Sequence, residues 1–104
     1  MSNPPGTNSR PAQTPPSIDS YVDRVTAGPG GAMTDEVGVI TGDLTVATFL
    51  QSDGHSVRVT IQHSGGDTWY TLSGSPAPVP AGQLAAYHRD LLGRIRRGGG
   101  TRAS

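Results

Sequence analysis

The chain of 104 residues contains no cysteine and no lysine. Without thiols it has neither a disulfide framework nor a thiolate metal site. No stretch is apolar for long enough to span a bilayer, and the N-terminus lacks a charged segment followed by an apolar one. The sequence therefore predicts no membrane span, no secretory signal and no membrane partner, and it favours a cytoplasmic location.

Groups suited to catalysis are also scarce. The three histidines are His55, His63 and His88, and the first two fall eight residues apart on one predicted strand, which is too far for shared metal ligation. The sequence contains no nucleophile-elbow motif and no P-loop, and the glycines at 98–100 follow a helix instead of opening one. We expect no enzymatic activity, no cofactor, no metal and no small-molecule substrate.

The N-terminal third is rich in proline and poor in large apolar side chains. Residues 1–34 carry six prolines, and such a segment buries too little surface to offset the entropy of ordering it. It is therefore predicted to be a disordered tail, with Met33 at its end as an alternative translation start. The rest divides into a single domain over 35–97 and a flexible Gly/Arg tail over 98–104.

Three two-residue turn signals divide the central region. They are Gly42-Asp43, Asp53-Gly54 and Gly65-Gly66, residue pairs that suit the positive φ angles of tight hairpin turns. They predict a four-stranded antiparallel meander with strands at about 36–41, 44–52, 55–64 and 67–73. Because side chains alternate along a strand, this register places ten apolar residues on one face: Val37, Val39, Leu44, Val46, Leu50, Val57, Val59, Ile61, Tyr70 and Leu72.

A C-terminal helix is predicted over about 81–97. Its apolar side chains recur at helical spacing: Leu84, Tyr87, His88, Leu91, Leu92 and Ile95. A proline-rich linker precedes it, and the helix is expected to cover the apolar face of the meander. The fold class is therefore α+β.

The opposite sheet face carries the candidate binding site. The predicted register places there Phe49, Arg58, Thr60, Gln62, Trp69 and Thr71. Exposed aromatic side chains often mark interaction sites, although Phe49 and Trp69 could instead stack across the strands or be covered by the N-terminal tail. We interpret the chain as a small non-enzymatic binding or adaptor module. Its partner is another protein or a second copy, held by this face or by an open strand edge.

The alternative function is nucleic-acid binding. Four arginines at the C-terminal end could hold phosphates: Arg94, Arg96, Arg97 and Arg102. The sheet face would then stack on bases. The zero formal net charge argues against it, and arginines at a helix C-terminus also stabilise the helix dipole.

Overall fold

The computed structural model describes residues 19–104, and it confirms the α+β class with an antiparallel sheet and one C-terminal helix. Residues 1–18 of the predicted tail lie outside the described residues. The elements, in chain order, are β1 Ser20–Thr26, β2 Ala32–Thr34, β3 Gly38–Ile40, β4 Asp43–Leu50, β5 Ser56–His63, β6 Tyr70–Thr71, β7 Ala77–Pro78 and α1 Leu84–Arg97.

The β4–β5 hairpin has the predicted register. Leu50 faces Val57 across the pair, and Val46 faces Ile61. The turn is fixed locally because the Asp53 carboxylate accepts hydrogen bonds from the backbone amides two and three residues later, at 2.8 and 3.0 Å. These bonds also lower the pKa of Asp53. The next predicted pair, Ile61 with Tyr70, is also present.

The strand beside β4 differs from the prediction. Residues 36–41 were expected there, but β1 occupies the position, with Tyr21 facing Thr48 and Val25 facing Leu44. β3 instead pairs with β2 in a separate two-stranded sheet. Val37 and Val39 were expected in the core, yet they are 55% and 47% exposed. β1 competes successfully because it is seven residues long and its inward side chains fit under the helix.

Residues 98–104 are not a loose tail. The amide of Gly99 donates to Pro29 O at 2.7 Å, and the amide of Ala103 donates to Ser73 O at 2.8 Å. A Cβ on Gly98 would lie 2.2 Å from Pro29 O, so only glycine permits this approach. Both glycine-rich segments, 28–31 and 98–100, therefore pack against each other, and the folded unit extends on both sides of the predicted 35–97.

The helix α1 covers one face of the main sheet, which we call the inner face. Leu84, His88, Leu91 and Ile95 are its buried residues, and they pack on inward side chains of β1, β4 and β5 such as Val46. The helix begins three residues later than predicted, after a turn in which Gln83 N donates to Pro80 O. The opposite sheet face, called the outer face, has no helix on it among residues 19–104.

Candidate protein-binding site

The outer face presents the predicted aromatic side chains. Phe49 lies directly opposite Arg58, and Phe49 and Trp69 are 39% and 44% exposed. The sheet register separates them by about 16 Å, from two strand spacings and four residues of strand rise. They therefore do not stack on each other, and the ring stacking observed among the described residues is between Tyr21 and His88.

Two of the six predicted side chains already have partners. The Gln62 side-chain amide donates to Gly66 O at 3.0 Å. The Thr71 hydroxyl donates to the Glu36 carboxylate at 2.8 Å. Phe49, Arg58 and Trp69 are exposed and Thr60 is half-buried, so the accessible part of the predicted site is smaller than the sequence suggested.

Within the described part of the chain, the sheet edge formed by β1 is open. Leu50 N donates to Asp19 O and Ala27 N donates to Gly42 O, which fixes the odd-numbered residues of β1 as the ones bonded to β4. The backbone amides and carbonyls of Ser20, Val22, Arg24 and Thr26 therefore point away from the sheet. No strand among residues 19–104 pairs with that side of β1.

The opposite edge, formed by β6, is closed by the chain itself. The Glu36 carboxylate accepts the outward amide of Thr71 at 2.7 Å, and Thr71 O accepts from the amide of Asp35 at 3.0 Å. The next outward amide, of Ser73, donates to Met33 O at 2.9 Å. The hydrogen bonds from Thr71 lower the pKa of Glu36. Among residues 19–104, the main sheet therefore has a guarded edge at β6 and an unpaired edge at β1.

Val22 joins the open edge to the outer face. Its side chain is 57% exposed, and it faces Ala47 across the β1–β4 pair, while Ser20 faces Phe49. The proline-rich surroundings hid this strand from sequence reasoning. Its signal is the short run Ser20–Thr26, which is rich in strand-forming Tyr, Val and Thr and alternates between exposed and inward positions. We call Ser20, Val22, Arg24, Thr26 and Phe49 together the edge site.

The four predicted phosphate-binding arginines do not join this site. Arg94 donates to the Asp90 carboxylate at 3.0 Å and to Arg102 O at 2.8 Å, so it holds the C-terminal segment. Arg96, Arg97 and Arg102 are exposed. Arg94, Arg96 and Arg97 lie on α1, which covers the inner face. Arg102 is held to α1 through its carbonyl oxygen, whereas Phe49 lies on the outer face.

A hydrogen-bonded chain of Thr48, His88 and Asp23 anchors β1 beneath the helix, with the first two residues buried. His88 Nε2 lies 2.9 Å from Asp23 Oδ2, and His88 Nδ1 lies 2.8 Å from Thr48 Oγ1. Because an ionised carboxylate can only accept, the Nε2–H donates to Asp23. The order resembles a catalytic triad, but the Thr48 hydroxyl is fully buried, so a substrate does not reach it. The chain therefore ties β1, β4 and α1 together.

The described residues also form a cleft, and they contain no cluster suited to hold a metal ion. A cleft of about 410 Å³ lies where α1 begins, and the residues that line it include Asp19, Tyr21, Leu50, Pro80 and Leu84. Within residues 19–104, no three His, Asp or Glu side chains are grouped to hold a metal ion. In the same part of the chain, no helix is long and apolar enough to cross a membrane.

The geometry thus brings an unpaired strand edge, an exposed valine and an exposed Phe–Arg pair to one side of the molecule. Comparison with known proteins returns no protein-family model, no curated protein and no solved structure that matches this chain.

Proposed function

We propose that this protein is a non-enzymatic binding module that acts through protein–protein contact at the edge site. The partner contributes an extended strand that pairs with β1, a mode of recognition in which main-chain hydrogen bonds supply much of the affinity. The supporting observation is the contrast between the two sheet edges: Glu36, Asp35 and Met33 satisfy the outward groups of β6 and its flank, while those of β1 are free among the described residues.

Side chains next to the edge add apolar contact area. Val22 lies on the edge strand itself, and Phe49 lies one strand further in, with Arg58 opposite it. A partner strand paired with β1 places its own alternate side chains beside Val22 on the outer face, where long ones can reach across β1 toward Phe49. Aromatic and arginine side chains are enriched among residues that dominate binding energy. The proposed contact therefore combines backbone pairing with an apolar patch.

Val22→Pro tests this proposal. The Val22 amide points away from β4, so a proline there removes a donor from the open edge and spares the β1–β4 hydrogen bonds. Val22→Thr is the matched control because it keeps the amide and the preference for a strand. Tagged wild-type protein and both variants are expressed in the host, and the proteins that co-purify are identified by mass spectrometry. Partners retained by the wild type and by Val22→Thr should be lost with Val22→Pro.

A second pair of variants separates the outer face from the edge. Phe49→Ser should reduce partner recovery because it removes the apolar ring beside the edge. Trp69→Ser should reduce it less, since Trp69 lies about 16 Å from Phe49 by the sheet spacings. Equal recovery by wild type, Val22→Pro and Phe49→Ser would contradict the proposal. Nuclease treatment tests the alternative function: recovery that depends on nucleic acid and falls with Arg96→Ala and Arg97→Ala would favour nucleic-acid binding.

A further inference from the structure

We infer that the strand received by the β1 edge is β1 of a second copy of this chain, paired antiparallel about a two-fold axis at Val22. This inference rests on the proposed function, since it names the partner of the same edge site. It concerns an isologous contact, in which each copy offers the same surface to the other.

The side chains on β1 distinguish between the possible registers. A two-fold axis at Val22, Asp23 or Arg24 pairs most of the seven residues of β1, whereas an axis nearer either end pairs only three. An axis at Asp23 places two Asp23 carboxylates face to face, and an axis at Arg24 does the same with two guanidinium groups. Directly opposed like charges destabilise a strand pair. An axis at Val22 opposes two valines, so it avoids both repulsions.

The Val22 register also produces complementary neighbours. Ser20 of one copy faces Arg24 of the other, and Tyr21 faces Asp23, so no pair of like charges is opposed. Ser20 is small and lies beside Phe49, which leaves Arg24 room to reach over it toward the Phe49 ring of the second copy. A guanidinium group over an aromatic face is attracted to it. In the monomer Arg24 pairs with Asp43 in an exposed ion pair at 2.8 Å, an interaction that costs little to exchange.

The two-fold axis makes one continuous surface from the two outer faces. An axis perpendicular to the sheet keeps both outer faces on the same side, so Val22 and Phe49 of the two copies form one apolar strip across the junction. The pairing covers residues 19–25 of each chain, which includes all of β1 except Thr26. The second copy therefore satisfies the outward amides of Ser20, Val22 and Arg24 and buries the exposed valine in a single contact.

Single-cysteine crosslinking tests the register directly, because the natural chain has no cysteine. In the inferred pair the two Val22 Cα atoms lie about 5.5 Å apart, within reach of a disulfide. The two Arg24 Cα atoms lie about 14 Å apart, from four residues of strand rise and one strand spacing. Mild oxidation of Val22→Cys should therefore give a covalent dimer, while Arg24→Cys and Asp23→Cys treated in parallel should remain mostly monomeric.

Sedimentation equilibrium measures the same contact without a crosslink. Wild type and Val22→Thr should dimerise, and Val22→Pro should weaken dimerisation by about tenfold or more, because it removes both N–H···O bonds at the two-fold axis. Circular dichroism checks that Val22→Pro is folded; if it is not, the Val22→Cys crosslink decides the question alone.

Three other outcomes of these experiments would each refute a different part of the inference. A wild-type chain that stays monomeric, with no Val22→Cys crosslink, refutes the second copy as partner, whereas the proposed function survives if a different co-purifying protein is lost with Val22→Pro. Preferential crosslinking of Asp23→Cys or Arg24→Cys refutes the Val22 register. A folded Val22→Pro that dimerises as well as wild type refutes edge pairing itself.

Discussion

Replacing Thr48 with valine should be costly although the two side chains have nearly the same size. The Thr48 hydroxyl and the His88 ring are buried, and their 2.8 Å hydrogen bond satisfies His88 Nδ1. Valine leaves that nitrogen buried without a partner, which costs about 1–3 kcal/mol. A loss of about 2 kcal/mol lowers the Tm of a domain of this size by roughly 8–16 °C. Urea denaturation monitored by circular dichroism measures the change in the free energy of unfolding.

A control variant and a double variant sharpen this test. Thr45→Val removes a similar hydroxyl from the same strand, but its bond to Ser64 is only part-buried, so solvent can replace it and the cost should stay below about 1 kcal/mol. Adding His88→Leu to Thr48→Val removes both partners, and the two effects should be non-additive by about 0.5–3 kcal/mol. A Thr48→Val variant as stable as wild type, or strictly additive effects, would refute the structural importance of this hydrogen-bonded chain.

Three further predictions concern contacts elsewhere in the fold. Gly28→Ala should destabilise the protein in thermal melts because its Cβ would lie 2.4 Å from the carbonyl oxygen of Arg96. Gly93→Ala should instead add up to about 1 kcal/mol of stability, because its Cβ would meet Arg97 Nη1 at 3.7 Å, an ordinary van der Waals contact on the helix. Because the pKa of Glu36 is lowered, its carboxylate stabilises the fold at pH values above the ordinary pKa of 4.5, and this stabilisation is lost as the pH falls through the pKa of the folded state. The difference in urea midpoint between wild type and Glu36→Gln should therefore shrink at acidic pH. Burial raises the pKa of Tyr87, whose hydroxyl donates to Ala103 O, so the contribution of this residue to stability is lost as the pH rises through the raised pKa. An ultraviolet titration of wild type should therefore show an ionisation above the ordinary tyrosine range that is absent in Tyr87→Phe.

The hairpin register could be read from the sequence because it depends on local chemistry. Asp53-Gly54 supplies the positive φ at Gly54 and the capping carboxylate for the turn, and the alternation of Val57, Val59 and Ile61 fixes which face is buried. Similarly, the helical spacing of its apolar residues places α1 without reference to anything distant. The β4–β5 register and the position of α1 depend on residues within these elements, so both could be predicted from the sequence.

The strand that pairs with β4 on its other side could not be predicted in the same way, because the choice depends on a contact between residues far apart in the sequence. The third turn, Gly42-Asp43, obeys the same local rule, and Gly42 does have a positive φ of 91°, yet the strand before it turns away to pair with β2. What selects β1 is the fit of Tyr21 and Asp23 to His88, 65 residues further along in the case of Asp23. A period-two pattern is compatible with either strand, so the decision lies in tertiary packing.

The same contact explains why the open edge of β1 is available for binding. Natural sheets protect their edges with prolines, lysines or charges, and β1 has neither proline nor lysine among its seven residues. Its one acidic residue, Asp23, has its carboxylate held toward the inner face by His88, so that carboxylate does not lie on the outer face beside Val22. Its one basic residue, Arg24, pairs with Asp43. The Thr48–His88–Asp23 chain thus fastens the edge strand to the core and fixes the side of the sheet on which the Asp23 carboxylate lies. Asp23→Lys should therefore weaken both folding and pairing, whereas Thr48→Val should weaken folding while leaving the edge site chemically unchanged.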